Sequence, residues 1–215
     1  TLLLDELRES EVTIPGGLTD SDIYDAGDVL DLGDLQALAA LDVPALREPL
    51  FVPSKPKELR DDTRTMFEVI RERDVLVHHP FDSFSGTVER FLEEAAHDDQ
   101  VLAIKLTLYR TSGDTALVAA LVDAAQRGKQ VAVIVELKAR FDEANNISWA
   151  RHLEDAGVHV AFGSATLKTH AKTALVVRRE ADGIKRYVHL GSGNYNSRTA
   201  RLYTDIGLIT CSPSI

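Results

Sequence analysis

The stretch VLAIKLTL at residues 101–108, followed by TALVAALVDAAQR at 115–127 and VAVIVEL at 131–137, decides the fold class of this chain. The first and third pieces are short apolar runs rich in β-branched residues, which is typical of strands buried in a sheet. The middle piece is long enough to form a helix between them. A strand–helix–strand succession indicates two parallel strands joined by a crossover helix. We therefore predict an α/β protein.

The same alternation continues on both sides of this stretch. We predict further strands at residues 75–77, 158–162 and 203–210, a hairpin of 171–178 with 186–191, and helices at 57–73, 84–96 and 146–156. Gly157 directly follows the last of these helices, where glycine commonly ends a helix. Because a hairpin adds antiparallel strands to a parallel core, we expect a mixed sheet, with helices on both faces.

A Pro-rich stretch divides the chain into two parts. Pro44, Pro49, Pro53 and Pro56 interrupt any regular pattern. Residues 1–56 are therefore interpreted as the tail of a preceding domain, containing a short helix within 31–41, followed by a connector. Residues 57–215 are interpreted as the main domain. Because the chain lacks an initiator Met and stops just after a strand-like run, we expect it to be a piece of a longer protein.

The composition is that of an ordinary water-soluble protein, with 44% apolar and 27% charged residues. No apolar run approaches the roughly 20 residues of a membrane span, and residues 1–5 do not resemble a signal peptide. The single cysteine, Cys211, excludes an internal disulfide and suits a reducing cytosol. We expect a cytoplasmic protein, with peripheral membrane association left open.

The net charge of −10 is unevenly distributed along the chain. Residues 1–100 contain 9 Lys and Arg against 24 Asp and Glu, whereas residues 101–215 contain 15 against 10. A positively charged second half keeps a phosphate-rich ligand plausible, although the whole chain is acidic. We expect no nucleic-acid partner.

The sequence LKTHAK at residues 167–172 is the strongest chemical signal. Side chains alternate along a strand, so His170 and Lys172 should share one face. An imidazole can attack phosphorus, a lysine can hold a phosphate oxygen, and the turn GSGNYN at 191–196, with Asn194, can supply further donors. A structural histidine is the competing interpretation, and the chemistry of the residues leaves the two evenly balanced. Such a glycine turn alone is a weak signal.

Two arginines are further candidates because they follow predicted parallel strands. Ligands of α/β sheets usually bind where the carboxyl ends of such strands meet, and Arg110, next to Tyr109, and Arg140 follow these ends. A guanidinium can bind a phosphate through two hydrogen bonds. Ion pairing of either arginine with Asp142 or Glu143 is the alternative. The other histidines are too scattered along the chain to indicate a metal cluster.

Five motifs in one order resemble the long-chain polyphosphate kinases. They are VLAIKLTLYR at 101–110, ELKARFDEAN at 136–145, LKTHAK at 167–172, GSGNYN at 191–196 and TARLYTD at 199–205. The resemblance extends from about residue 20 to the end of the chain. It implies a phospholipase D-like fold, the first of two such domains, and reversible transfer of the terminal phosphate of ATP to polyphosphate through a phosphohistidine.

The resemblance also assigns roles to individual residues. His170 falls on the phosphorylated histidine, with Lys172 beside it to neutralise a phosphate, and Tyr203 matches a nucleotide-binding tyrosine. Arg110 and Arg140 match positions associated with magnesium. Because arginine has no lone pair for a metal, we expect both to hold the phosphates that Mg²⁺ bridges.

The family further implies Mg²⁺ as cofactor, ATP or ADP and inorganic polyphosphate as partners, and a homo-oligomer at full length. A phospholipase D-type phosphodiesterase is the alternative enzyme. Those enzymes carry an aspartate five residues after the lysine, a position that Val177 occupies here, and this favours the kinase. A second alternative is that these 215 residues bind phosphate without turnover, since the family's second catalytic domain is missing.

Overall fold

A computed structural model describes residues 35–49, 51–109, 115–136, 143–164 and 167–215, together with Thr19 and Gly33. Of Thr115 and residues 143–146 only the backbone is described. The chain divides into two compact units, residues 1–50 and 51–215.

The first unit contains one short helix among its described residues. Helix α1 spans Leu35–Ala39, within the region where a helix was predicted, and a 3₁₀ turn follows at Pro44–Leu46. Arg47 closes the turn by donating from its guanidinium to the carbonyl of Leu41 at 2.8 Å.

The predicted helix at residues 57–73 is wrong as a single element. A 3₁₀ turn at Lys57–Leu59 is separated from helix α2, which spans Met66–Glu72. The break has a local cause, because Thr65 caps α2. Its hydroxyl accepts from the Glu68 amide at 3.2 Å, and the Glu68 carboxylate accepts from the Thr65 amide at 2.8 Å.

The remaining elements alternate as the sequence predicts, with bounds that differ by a few residues. The strands are β1 Val75–His79, β2 Val101–Leu108, β3 Gln130–Val135, β4 His159–Phe162, β5 Lys172–Glu180, β6 Gly183–Gly191 and β7 Asp205–Thr210. A π-helical turn at Ser85–Glu89 leads into α3 at Arg90–His97; α4 is Thr115–Gln126, and α5 is Glu143–Asp155. Gly157 adopts a φ of 89°, the left-handed conformation that ends α5.

The seven strands form one mixed sheet in the order β1-β7-β6-β5-β2-β3-β4. The pairs β2–β3 and β3–β4 are parallel, and all other neighbouring pairs are antiparallel. The predicted α/β class and mixed sheet are confirmed. The ends of β1, β2, β3, β4 and β6 and the starts of β5 and β7 all lie at one edge, which we call the carboxyl edge.

The helices cover one face of this sheet. Strand residues in register across it, such as Leu106, Val133, Ala174 and Ile209, are at most 2% exposed and form one core with the buried residues of α2 to α5. Helices on both faces were expected. Among the described residues the opposite face has no such cover, and it carries partly exposed side chains such as Ile134, which is 41% exposed. Within the described part of the chain, no helix is long and apolar enough to cross a membrane.

Candidate functional site

His170 and Lys172 meet at the carboxyl edge. The Lys172 ammonium lies 3.2 Å from Nδ1 and 3.1 Å from Nε2 of the imidazole. Strand β5 begins at Lys172, so His170 precedes the strand rather than lying within it, yet both side chains turn to the same side. His170 is exposed, whereas Lys172 is only 5% exposed. The arrangement presents an exposed imidazole with a cation held directly beside it.

Tyr109, the residue after β2, completes the surroundings of the imidazole. Its ring meets the His170 ring edge-on, with centroids 5.1 Å apart. The ammonium groups of Lys172 and Lys168 lie 5.1 Å and 5.9 Å from the centre of the Tyr109 ring. An aromatic face attracts cations, so both lysines gather at the ring that also contacts the histidine.

Burial makes the charged form of Lys172 less favourable. Desolvation lowers the pKa of its ammonium from the ordinary value of 10.5, and the Asp205 carboxylate partly opposes this shift. Asp205 is itself held by the Ser192 hydroxyl, which donates to Oδ1 at 2.8 Å. A buried cation next to an exposed imidazole is a poor arrangement for packing alone and a suitable one for an anionic ligand.

The turn at residues 191–196 packs against the start of β7. A Cβ at Gly193 would lie 2.6 Å from Cγ and Oδ2 of Asp205, so only glycine fits there. Lys172 pairs with Gly191 in the sheet, which brings the turn next to the His170 segment. The side-chain oxygen of Asn194 is buried and finds no hydrogen-bond partner among the described residues. Asn194 thus lies in the turn that follows β6 at the carboxyl edge, and the phosphate-holding role predicted for this turn stays a prediction.

A buried carboxylate contacts the main chain next to His170. Glu136, the residue after β3, is 1% exposed, and its Oε2 accepts from the backbone N–H of Thr169 at 2.7 Å. Gly163, just after β4, approaches this bond closely, since a Cβ there would lie 3.1 Å from Oε2. The Glu136 carboxylate is therefore bonded to the main chain one residue before His170.

A second histidine is buried under the 191–196 turn. His189 contacts the Tyr195 hydroxyl through Nδ1 at 2.8 Å and is 3% exposed. Desolvation, with a smaller contribution from His79, lowers the pKa of His189 to about 3. Gly207 leaves the space for its ring, because a Cβ there would lie 2.7 Å from Nε2. His189 is therefore a neutral packing residue near neutral pH.

The predicted site residues do not all fall in the described part of the chain. His170 and Lys172 come together at the carboxyl edge, and Asn194 follows β6 at the same edge. Arg110 and Arg140 lie outside the described residues. Tyr203 lies in the loop before β7 and is 63% exposed. Sequence reasoning placed Tyr109 with Arg110 at the end of a strand without giving it a role, and it missed Glu136 and Asp205 as members of the site. The signal for Glu136 was available, because a carboxylate directly ends a buried apolar strand.

The described side chains suit an anion better than a metal. No group of three or more His, Cys, Asp or Glu residues in the described ranges could hold a metal ion. Exposed imidazole, two lysine ammonium groups and an amide are instead the donors and nucleophile that phosphate chemistry uses.

A family model described as polyphosphate kinase C-terminal domain 1 matches residues 65–215. The chain is 56% identical over 211 residues to proteins named polyphosphate kinase from Mycolicibacterium gilvum (strain PYR-GCK) and Mycobacterium tuberculosis (strain ATCC 25618 / H37Rv). Each alignment covers 97% of this chain and 28% of the relative. The chain therefore spans just over a quarter of the length of these curated relatives.

Two solved structures resemble the chain in their fold. The crystal structure of polyphosphate kinase from Porphyromonas gingivalis matches with a TM-score of 0.70 and 36% identity, covering 83% of this chain and 28% of that one. NucT from Helicobacter pylori matches with a TM-score of 0.51 and 15% identity, covering 66% of this chain and 87% of that one. The second likeness concerns the fold alone.

Proposed function

The chain belongs to the polyphosphate kinase family, as its first C-terminal domain, and we propose that it carries the phosphorylated histidine of a full-length polyphosphate kinase. In this proposal the full-length enzyme moves the terminal phosphate of ATP to inorganic polyphosphate, and back, through phospho-His170. The observation that carries the proposal is the contact between the exposed imidazole and the buried Lys172 ammonium, 3.1 Å from Nε2.

The first step forms the phosphohistidine. An unprotonated nitrogen of His170 attacks the γ-phosphorus of ATP, a nitrogen–phosphorus bond forms, and the bond from that phosphorus to the bridging oxygen breaks, so that ADP leaves with the electron pair. In the second step a terminal oxygen of polyphosphate attacks the same phosphorus and the nitrogen–phosphorus bond breaks. The polyphosphate chain grows by one unit and His170 is restored.

Lys172 supplies the charge that these steps require. Phosphoryl transfer depends on positioning and charge stabilisation more than on further covalent chemistry. An ammonium within 3.2 Å of both ring nitrogens is within reach of the oxygens of a phosphorus bonded to either one. Tyr109 keeps Lys168 near the same place, and Asn194, Arg110, Arg140 and Tyr203 are proposed to hold the remaining phosphates and the nucleotide.

Magnesium is proposed to arrive on the phosphates of ATP rather than on a protein ligand set. Arginine cannot ligate a metal, and the described residues contain no cluster that could. Arg110 and Arg140 would then contact the metal-bridged phosphates. The homo-oligomer and the cytoplasmic location expected for the full-length protein belong to the same proposal.

Labelling with γ-labelled ATP tests the proposal in a full-length protein that contains this chain. We expect label on the unaltered protein and its transfer to added polyphosphate, but no label on His170→Ala. His152→Ala is the control, because His152 is exposed on α5. Label retained at this site in His170→Ala would rule out the phosphohistidine. ATP-independent hydrolysis of a generic phosphodiester would instead favour the phospholipase D-type alternative.

The isolated 215 residues are proposed to bind phosphate without turnover, since they span 28% of their relatives. Titration with short polyphosphate, followed by an assay of ATP formation from ADP, separates binding from catalysis. Binding with no ATP formed is the expected result, and turnover by the isolated chain would contradict it.

A further inference from the structure

Two buried charges lie next to the His170 segment: Lys172 belongs to its sequence motif, whereas Glu136 is 33 residues from Thr169 in the chain and contacts its amide. By whole-residue exposure, Glu136 at 1% and Lys172 at 5% are the buried members among the Asp, Glu, Lys and Arg residues that the structure describes. Burying a carboxylate costs free energy unless its hydrogen bonds are made, so its position calls for a physical reason. We propose that Glu136 is a positioning residue, which holds the main chain at Thr169 so that the His170 imidazole stays on the Lys172 ammonium.

Hydrogen bonds at Glu136 and at the adjacent Val135 connect the ends of β2, β3 and β4 with Thr169, and we call this set of bonds the joint. Its own N–H donates to the Leu108 carbonyl at 2.9 Å, at the end of β2. Its Oε2 receives the Thr169 N–H at 2.7 Å, a charge-assisted bond of the stronger kind. The Gly163 N–H donates to the Val135 carbonyl at 3.1 Å, which holds the end of β4 against the same point.

His170 is held on its other side by a neutral hydrogen bond. The Thr107 hydroxyl on β2 donates to the Ala171 carbonyl at 2.7 Å and accepts from the Thr173 N–H at 3.0 Å. The residues before and after His170 are thus anchored by Glu136 and by Thr107. An exposed histidine gains a fixed orientation from these two neighbours, as a nucleophile requires, because small displacements of a reacting atom reduce the rate strongly.

Hydrogen exchange tests the joint independently of any activity. In a full-length protein carrying this chain, Glu136→Ala should raise the exchange rate of the Thr169 amide, while amides in the centre of β2 and β3 keep theirs. Glu154→Gln, at an exposed carboxylate on α5, is the control and should change neither. Unchanged exchange at Thr169 in Glu136→Ala overturns the proposal.

Kinetics test the consequence, and this arm rests on the proposed phosphohistidine function. We expect Glu136→Ala to lower kcat about 10- to 100-fold with KM for ATP changed by less than about threefold, because the nucleophile is misplaced while the nucleotide site is kept. Glu136→Gln keeps an acceptor oxygen and should retain most of the activity. Equal losses in both variants would mean that the charge matters and not the positioning, and would overturn the proposal.

Failure of the proposed function and failure of a variant to fold both leave the positioning role testable. If the unaltered protein takes no label from ATP, the proposed function fails, and the exchange of Thr169 still decides the positioning role. If Glu136→Ala does not fold, Gly163→Ala disturbs the same joint, because its Cβ would lie 2.9 Å from the Thr169 hydroxyl and 3.1 Å from Oε2. Its Thr169 amide should then exchange faster than in the control, and unchanged exchange there counts against the proposal.

Discussion

Lys172 shows at the scale of one residue how stability and phosphate binding oppose each other. Its ammonium is removed from water, and the resulting desolvation lowers its pKa, with the Asp205 carboxylate as a partial counterweight. A lysine in this place is unfavourable for the fold when no anion is bound. The same desolvation strengthens its attraction to a phosphate once that phosphate is present.

We predict that Lys172→Met separates these two effects. Methionine fills a similar volume without a charge, so the melting temperature should stay the same or rise, whereas affinity for short polyphosphate should fall about tenfold or more with the lost charged hydrogen bond. Lys57→Met is the control, because the Lys57 side chain is 80% exposed. Unchanged affinity, measured by titration calorimetry, would remove Lys172 from the phosphate site.

Helix α2 shows, at the scale of an element, that a capping motif decides where a helix begins when the spacing of apolar residues does not. Residues 57–73 contain a helical spacing of apolar residues, and this spacing predicts one continuous helix. The capping box of Thr65 and Glu68 sets the start of the helix instead. Its side chains bond backbone amides that are free only in the first turn of a helix, so the helix begins at this position. The sequence contains this capping signal, but a prediction from the apolar spacing alone does not use it.

We predict that Thr65→Ala lowers the free energy of unfolding by about 1 kcal/mol, the usual value of an N-cap side chain. The loss should be measurable by urea denaturation, since α2 carries the buried Met66, Phe67, Val69 and Ile70. Thr204→Ala, at an exposed loop position, should have little effect. Equal stabilities of the two variants would contradict the capping role.

At the scale of the whole molecule, the buried His189 makes the stability of the fold sensitive to acid. In the folded state its pKa is about 3, against 6.5 in the unfolded chain, so between these pH values the unfolded chain binds a proton that the folded chain does not. Stability therefore falls as the pH falls from 6.5 towards 3, by up to about 1.4 kcal/mol per pH unit from this residue.

We predict that His189→Gln flattens this dependence, whatever its effect on stability at neutral pH. The measurement is the free energy of unfolding by denaturant at several pH values between 6.5 and 4, compared between the two proteins. The titratable groups other than His189 contribute equally to both curves, so the difference in slope reports His189. Identical slopes would mean that His189 is protonated in the folded protein as easily as in the unfolded one.

The sequence by itself determined the α/β class, the order of strands and helices, and the meeting of His170 with Lys172. The first two depend on short-range periodicity and the third on two residues that are two positions apart, all of which a local stretch of chain contains. Only the tertiary structure decided that Tyr109, Glu136 and Asp205 join them. Thr169 and Glu136 are 33 residues apart, and their contact depends on the register between strands that are distant in the chain. The sheet's pairing register, set by how the whole core packs, brings these residues to one edge.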